Sequence, residues 1–164
     1  MNAVCSILSS SLSNIKGIIT FHQCKPHQSV KVSINLSGFK PNQLHAIHIH
    51  EFGDLRQGCE SLGPHFNPLN KNHGSIKVHG NDRHAGDLIN NIMTDENGNV
   101  NITYSDPLLS LQETSIFNIF GRSVVIHEKP DDLGLGGTME SLTTGSAGKR
   151  IACGIIGRSK NQSC

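Results

Sequence analysis

The chain lacks several features that mark common classes of protein. Its 164 residues include no tryptophan and one tyrosine, and the formal net charge is only +1. The basic residues are scattered, which argues against nucleic acid or an anionic membrane surface as the partner. No apolar run approaches about 20 residues, so we expect no membrane-spanning segment. Residues 1–17 have neither the basic start nor the apolar length of a secretory signal, and we expect a cytoplasmic location.

Sustained helical periodicity is also missing, whereas the alternation typical of strands is common. Apolar residues occupy every second position of 30–36, and again of 100–104 after a turn signal at 95–98. Other strand-like stretches are 17–22, 44–50, 119–127 and 150–156, with weaker ones near 3–8 and 86–92. The pattern predicts one all-β domain over residues 1–164, with about eight strands in a Greek-key β-barrel or a sandwich. The stretches 51–85 and 128–149 do not resemble strands, and we expect two long functional loops there.

The histidines are unevenly distributed along the chain. Seven of the ten lie within 40 residues, at positions 45, 48, 50, 65, 73, 79 and 84. Within the predicted strand 44–50, His48 and His50 are two residues apart, so their side chains project from the same face. Two imidazoles directed at one point from a rigid strand form half of a copper or zinc site, and this clustering predicts a metal-binding region.

Two sets of ligands can be assembled around this pair. His127 shares a strand face with Val125 and can join His48 and His50. Three imidazoles without a thiolate suit a copper ion that cycles between oxidation states and keeps an open position. His65, His73, His84 and Asp87 form a closed set of four, which suits a structural zinc ion. If His65 belongs to both sets, its two ring nitrogens could bridge the metals. The other histidines, at 22, 27, 45 and 79, are interpreted as ordinary surface or core residues, although His79 could compete for zinc.

Five motifs follow one another along the chain: HAIHIHEFGD, GCESLGPHFNPLNKNHG, RHAGDL, GRSVVIHEKPDDLG and GKRIACGIIG. Together they resemble the copper/zinc superoxide dismutase family of the eukaryotic cytosolic type. The resemblance implies an eight-stranded Greek-key β-barrel, an immunoglobulin-like sandwich architecture. The resemblance covers residues 3–157, which is nearly the whole chain. It implies disproportionation of superoxide to O2 and hydrogen peroxide by a redox-cycling copper, bridged through a histidine imidazolate to a structural zinc. One copper and one zinc per chain are therefore expected as cofactors.

The resemblance also implies roles for individual residues. Copper would be held by His48, His50, His65 and His127, and zinc by His65, His73, His84 and Asp87. His65 would take a proton on its freed nitrogen and return it in the second half-reaction. Arg150 would draw superoxide towards copper, and Thr144 would line the same channel. Asp131 would connect a copper histidine to a zinc histidine, the kind of outer contact that orients metal ligands.

Composition and the family resemblance give different predictions for the cysteines. Cytoplasmic disulfides are rare, so composition alone predicts that all five cysteines are thiols. The family pattern instead implies a disulfide between Cys59 and Cys153. Cys5, Cys24 and Cys164 are expected to remain thiols.

The family pattern further implies a homodimer. The matching surface comprises Val4, Ser6, Phe52, Gly53, Phe120, Gly121 and residues 156–158. Ser6 and Arg158 place polar groups where aliphatic side chains are usual, so we expect a weakened dimer. The loop 135–143 carries only one charge, at Glu140, which predicts weak electrostatic steering. A copper chaperone is a further partner that the family pattern allows.

A second hypothesis is a non-catalytic relative, either a dismutase-like copper-binding domain or the domain of a copper chaperone. A chaperone would need a delivery segment, usually with a CxxC motif, and the sequence has none. An inactive relative would usually lack a copper ligand or the arginine, whereas all of these residues are present. Both observations favour the catalytic hypothesis.

Overall fold

The computed structural model describes residues 1–8 and 13–160, in which eight strands and two short α-helices are found. The strands are β1 (Asn2–Ile7), β2 (Lys16–His22), β3 (Val30–Ser37), β4 (Leu44–His50), β5 (Asn91–Met93), β6 (Val100–Asp106), β7 (Ser123–His127) and β8 (Arg150–Arg158). The helices are α1 (Ile76–His79) and α2 (Met139–Thr144). No helix in these described ranges has the length and apolar character needed to cross a membrane.

All strand pairs are antiparallel, and the strand order is β5-β4-β7-β8-β1-β2-β3-β6. Consecutive strands β3 and β4 are not neighbours, because β3 pairs with β6 and β4 with β7. This exchange of partners is a Greek-key connection. The two edge strands, β5 and β6, are joined by a tight turn in which the Asp95 amide donates to the Asn99 carbonyl at 2.8 Å. The sheet therefore curls into a nearly closed barrel, and the predicted all-β fold is confirmed.

The barrel interior is filled by the apolar positions of the alternating strands. Ile19, Ile34 and Ile47 are fully buried, as are Ile49 and Ile126 from the strands that carry histidines. Burying each such side chain contributes roughly 1.5–3 kcal/mol. Because Ile47 and Ile49 point into this core, the alternate residues His48 and His50 are directed to the other face of β4, towards the long loops.

The structure corrects some predicted boundaries. The stretch 86–92 is mostly not a strand, because a 3-10 helix spans Ala85–Asp87 and β5 begins only at Asn91. Strand β7 begins at Ser123 rather than 119, after a turn in which Gly121 has a φ of 75°. Both long loops contain a short helix, with Ser75 and Thr138 capping the N-termini of α1 and α2. Neither helix is long enough to show a periodic pattern in the sequence.

The surface predicted for a dimer contact is also corrected at one position. Ile156 is fully buried in the core, whereas its neighbour Ile155 is 37% exposed. Along a strand the side chains alternate between the two faces, so a shift of one residue exchanges inside and outside.

The loop 51–90 is held against the barrel by backbone contacts. His65 forms a β-bridge with His50, and the Phe66 amide donates to the Ile49 carbonyl at 2.8 Å. Gly86 packs so closely that a Cβ there would lie 2.2 Å from the Ile49 carbonyl oxygen. These contacts place His65 beside the histidines of β4.

Candidate metal centre

The first cluster consists of His48, His50, His65 and His127. Strands β4 and β7 are paired, with His50 opposite Ser123 and His48 opposite Val125. His127 ends β7 at an irregularity in its pairing with β8, where it lies opposite Arg150. The ligating nitrogens of the four rings all lie within 4.8 Å of one another. All four residues are buried.

Hydrogen bonds to the outer nitrogens orient these rings. His50 Nδ1 donates to the Gly63 carbonyl at 2.8 Å, and His127 Nδ1 to the Gly148 carbonyl at 3.3 Å. Their inner Nε2 atoms are 3.4 Å apart. His48 is turned the other way, with Nε2 donating to Asp131 Oδ2 at 2.6 Å, so that its Nδ1 is the inner atom. Each ring thus directs one lone pair towards a common point.

The second cluster consists of His65, His73, His84 and Asp87. Asp87 Oδ1 lies 3.2 Å from Nδ1 of His65, 2.8 Å from Nδ1 of His73 and 3.1 Å from Nδ1 of His84. The other oxygen, Oδ2, accepts from the backbone amides of Gly74 and His84 at 2.9 and 3.0 Å. These contacts hold the carboxylate in one orientation, and the four ligand atoms form a closed set of three nitrogens and one oxygen.

Two buried nitrogen atoms indicate whether metal ions fit these clusters. His48 Nδ1 and His65 Nε2 have no hydrogen-bond partner within the part of the chain that the structure describes. Burying an unpaired polar nitrogen costs about 1–3 kcal/mol, so such atoms need an explanation. A metal ion in the first cluster would use both lone pairs. Because Nδ1 of His65 belongs to the second cluster, this single ring spans both sites, and the donor sets fit two metal ions.

Asp131 joins the two clusters from outside. Its carboxylate accepts from His48 Nε2 at 2.6 Å and from His73 Nε2 at 2.9 Å. Sequence reasoning missed two residues that hold it. Asn90 donates to Asp131 Oδ2 at 3.1 Å, and the Asn91 side chain exchanges hydrogen bonds with the Asp131 backbone at 2.7 and 2.9 Å. The adjacent asparagines that follow RHAGDL were the available signal.

The electrostatics of the first cluster favour neutral rings. Burial lowers the pKa of His48 and of His127 to about 4, and that of His65 to about 3. Burial also places the pKa of His50 far below its usual range. Neutral imidazoles are the form that binds metal, so these ligands are ready for an ion near pH 7.

His73 differs from the other rings. Burial alone would lower its pKa, but hydrogen bonds to Asp131 and Asp87 outweigh burial and raise its pKa to about 9. The pKa values of Asp87 and Asp131 are held well below the usual range despite burial, because histidines donate to both carboxylates. In the metal-free protein His73 is therefore a cation between two anions.

Arg150 lies at the edge of the first cluster. Its guanidinium donates to the Cys59 carbonyl and to the Gly63 carbonyl, both at 2.7 Å. It lies opposite His127 in the ladder and shares the Gly63 carbonyl with His50, and its charge contributes to the lowered pKa of both rings. Gly63 thus accepts from Arg150 and from His50 with one carbonyl group. The side chain is only half-buried, so one cation faces both the cluster and solvent.

The predicted disulfide between Cys59 and Cys153 is confirmed. It ties the loop that carries Gly63 and His65 to strand β8. Cys5 is buried under β8, and burial raises the pKa of its thiol to about 12. Cys164 lies outside the described residues.

Three other residues belong to neither cluster, Thr144, His79 and His45. Thr144 is exposed at the end of α2 and donates to the Glu140 carbonyl at 3.1 Å, so its role in a channel stays a prediction. His79 belongs to neither cluster, since its Nδ1 accepts from the Ser75 amide at 3.0 Å. His45, interpreted as an ordinary residue, is buried and donates to the His127 carbonyl at 2.9 Å. It thereby supports the backbone of a residue in the first cluster.

Gly145 is a further position that the sequence did not single out. It follows α2 with a φ of 65°, a left-handed conformation that favours glycine. A Cβ there would lie 2.5 Å from both Asp131 Oδ1 and His73 Nε2. The hydrogen bond between these two groups therefore requires a residue without a side chain at this position.

Comparisons with known proteins agree with this geometry. The family model of copper/zinc superoxide dismutase (SODC) matches residues 15–156. The chain is 47% identical to superoxide dismutase [Cu-Zn] A of Xenopus laevis, over 96% of this chain and 97% of that protein. It is 46% identical to the Saccharomyces cerevisiae enzyme over 87% and 90%, and 45% identical to that of Paramecium bursaria Chlorella virus 1 over 92% and 76%.

A solved structure is similar as well. The crystal structure of the clock protein EA4 superimposes with a TM-score of 0.84 at 41% identity, covering 94% of this chain and 93% of the other. The family model alone spans well over half of the 164 residues. The chain therefore belongs to the copper/zinc superoxide dismutase family.

Proposed function

We propose that this protein catalyses the disproportionation of superoxide to O2 and hydrogen peroxide with one copper and one zinc ion per chain. The observation that carries the proposal is the pair of buried clusters that share His65, with two nitrogens left without a hydrogen-bond partner among the described residues. Family membership agrees with it.

The two clusters suit different metals. Copper would be held by the first cluster, His48, His50, His65 and His127, where only imidazole nitrogens converge. Zinc would be held by the second cluster, His65, His73, His84 and Asp87, a closed set with one carboxylate. Asp131 would keep His48 and His73 in their observed orientations. When bound, copper supplies the redox chemistry by accepting an electron from one superoxide and giving it to a second.

Arg150 would bind the substrate anion. A guanidinium stays charged at any pH of interest and offers several donors in one plane. Two of its donors are held by Cys59 and Gly63, which fix its orientation, and its half-exposed position leaves it accessible to an anion from solvent. Electrostatic attraction of this kind raises the rate of encounter.

His65 would supply a proton. Formation of hydrogen peroxide from superoxide consumes two protons, of which His65 would supply one and the solvent the other. The Nε2 atom of His65 faces this cluster without a hydrogen-bond partner in the described part of the chain, so it can hold a proton and donate it to the departing peroxide. Nδ1 of the same ring lies in the second cluster, 3.2 Å from Asp87 Oδ1, and a zinc ion there would hold the ring in position as the proton moves.

We further propose that two chains form a homodimer. Phe52 is 50% exposed, and the residue after it, Gly53, lies next to the exposed Ile155. Gly53 and Gly121 approach so closely that a Cβ on Gly53 would lie 2.2 Å from the Gly121 carbonyl oxygen and 3.3 Å from Ile155. These four residues form an apolar patch that a second copy of the chain could cover around a two-fold axis.

Three wider expectations remain predictions. Residues 1–164 are expected to form one domain, which limited proteolysis of the purified protein tests. The cytoplasmic location is tested by fractionation of the source cells. Delivery of copper by a chaperone is tested by comparing copper content after expression with and without that partner.

The central experiment measures metals and activity together. His127→Ala should lose copper and dismutase activity and keep most of its zinc, because His127 belongs only to the first cluster. Asp87→Ala should lose zinc first, since Asp87 contacts all three rings of the second cluster. Metal content is measured by mass spectrometry and activity by superoxide consumption. Undiminished activity in His127→Ala would refute the copper assignment. Wild-type protein that binds both metals without consuming superoxide would instead support the non-catalytic alternative.

A further inference from the structure

A second arrangement of reactive side chains lies at the end of the first hairpin, outside both metal clusters. Asn2 and His22 are directly opposite each other in the ladder between β1 and β2. The pairing continues one residue further, where the Gln23 amide donates to the Met1 carbonyl at 3.0 Å. Cys24 lies two residues beyond His22, just after the end of β2, and its Sγ contacts the imidazole. An amide, an imidazole and a thiol are thereby in line at the end of the hairpin.

The directions of the hydrogen bonds follow from the chemistry of the groups. The Asn2 Nδ2 atom donates to the Lys160 carbonyl at 3.2 Å, so its Oδ1 is the atom that contacts His22 Nδ1. An amide oxygen can only accept, which places the ring hydrogen on Nδ1 and leaves a lone pair on Nε2. This Nε2 is 2.9 Å from Cys24 Sγ. The thiol therefore donates to the imidazole, as in a cysteine nucleophile with its base.

The surroundings fit a reactive sulfur rather than a structural one. Asn2 is only 7% exposed and His22 is half-buried, so the ring is held in place. Cys24 is exposed, and reagents can reach it. Cys5 is the contrasting case, because its thiol is buried and its pKa is raised to about 12.

We propose that Cys24 is a redox-sensitive thiol that hydrogen peroxide oxidises to sulfenic acid, with His22 as the base and Asn2 as a positioning residue. The inference rests on the proposed function only for the source of the oxidant, since peroxide is the product of superoxide disproportionation. The reactive sulfur itself follows from the three side chains at the end of the hairpin.

The reaction balances with these groups alone. His22 Nε2 removes the proton from Cys24 Sγ, and the thiolate attacks one oxygen of hydrogen peroxide. An S–O bond forms and the O–O bond breaks. The sulfur is oxidised, and the peroxide is reduced as its second oxygen leaves as hydroxide. That hydroxide takes the proton from His22, so the products are the sulfenic acid and water.

The first test measures alkylation of Cys24 by iodoacetamide in the metal-loaded protein. All variants carry Cys164→Ser, so that the result depends on Cys24, and labelled peptides are quantified by mass spectrometry. An ordinary thiol is about 3% thiolate at pH 7, so we expect Cys24 to react about tenfold faster than the same cysteine in His22→Gln. Cys5 is an internal control, which should be labelled only after unfolding.

The role of Asn2 is tested by the pH profile of the same reaction. Asn2→Leu should move the rise of the alkylation rate to higher pH, because the ring loses the acceptor that keeps the hydrogen on Nδ1. Asn2→Asp supplies an oxygen again and should restore the profile. A purely structural role for Asn2 would lower protein stability without moving the profile.

The second test adds hydrogen peroxide and traps sulfenic acid with dimedone. We expect one adduct per chain, at Cys24, which forms about tenfold more slowly in His22→Gln. The proposal would be overturned if Cys24 were labelled at the rate of an ordinary thiol, or if wild type and His22→Gln were labelled at equal rates. A disulfide at Cys24 would also overturn it. Superoxide consumption is measured in parallel and should be unchanged in Cys24→Ser. Because peroxide is added, loss of the proposed dismutase function would leave this test valid.

Discussion

At the scale of single residues, Arg150 is the group outside the metal ligands on which the rate should depend most. Arg150→Ala removes the cation beside His50 and His127 while leaving all ligands in place. We expect the rate of superoxide consumption to fall by about tenfold to hundredfold. Arg150→Lys keeps the charge but loses the planar pair of donors, and it should give an intermediate rate. Copper content is measured in each variant, and a wild-type rate in Arg150→Ala with full copper would contradict the assigned role.

A second prediction at this scale concerns His73 and zinc. Burial favours the neutral ring, but Asp131 and Asp87 accept from both of its nitrogens and raise its pKa to about 9. Zinc must displace the proton from Nδ1, so the apparent affinity of the metal-free protein for zinc should rise about tenfold per pH unit from about pH 7.5 to 9 and then level off. Titration against a competing chelator measures this.

The control for this prediction is Asp131→Asn, which weakens the acceptor at Nε2 of His73 and should make the affinity level off at a lower pH. The raised pKa of His73 also makes the stability of the metal-free protein depend on pH. Because the pKa in the folded protein exceeds the ordinary value of 6.5, protonation of His73 stabilises the metal-free fold fully below pH 6.5. This contribution is lost as the pH rises through about 9. A zinc affinity independent of pH in this window would show that His73 is neutral.

At the scale of structural elements, the disulfide anchors the loop 51–90 to the barrel. Cys59 and Cys153 are separated by 94 residues, and closing such a loop contributes on the order of 4–5 kcal/mol in the chain-entropy model. Cys59→Ser should lower the free energy of unfolding of the metal-free protein by several kcal/mol, measured in urea. The matched control is Cys24→Ser, an exposed thiol whose replacement should change the free energy by less than about 0.5 kcal/mol. If Cys59→Ser and Cys24→Ser had the same free energy of unfolding, the disulfide would not stabilise the protein by anchoring this loop.

At the scale of the whole molecule, Arg158 affects the proposed dimer. Its guanidinium lies 4.7 Å from the centre of the Phe120 ring and forms an ion pair with Glu113, and both side chains are largely exposed. A second chain at this surface would have to displace or bury that cation, which costs several kcal/mol unless the pair is kept. We therefore expect Arg158→Ile to tighten dimerisation by about tenfold or more.

Analytical ultracentrifugation over a dilution series measures the effect. Lys31→Ile is the matched control, because it also replaces an exposed cation on a strand with isoleucine, but on β3. The Lys31→Ile dimer should have the same dissociation constant as the wild-type dimer. A wild-type protein that stays monomeric at high micromolar concentration would rule out the dimer. Equal constants for Arg158→Ile and Lys31→Ile would show that Arg158 does not weaken it.

The sequence by itself determined the features that depend on near neighbours in the chain. Alternation with a period of two predicted most strands, and the two-residue spacing of His48 and His50 placed both rings on one face of β4. The ordered motifs pointed to the family, and the family model confirms it. Short helices and strand ends were predicted less well, because a helix of four to six residues has no period to detect.

Only the tertiary structure decided which atoms of distant residues meet. His48 turns Nε2 to Asp131, whereas His50 turns Nδ1 to Gly63. These orientations depend on how the loops pack around β4, and the spacing of the two rings in the sequence does not set them. The support of Asp131 by Asn90 depends in the same way on contacts between segments 41 residues apart. Local spacing cannot encode such contacts, because hydrogen-bond directions are set only when the strands have paired and the barrel has formed its core.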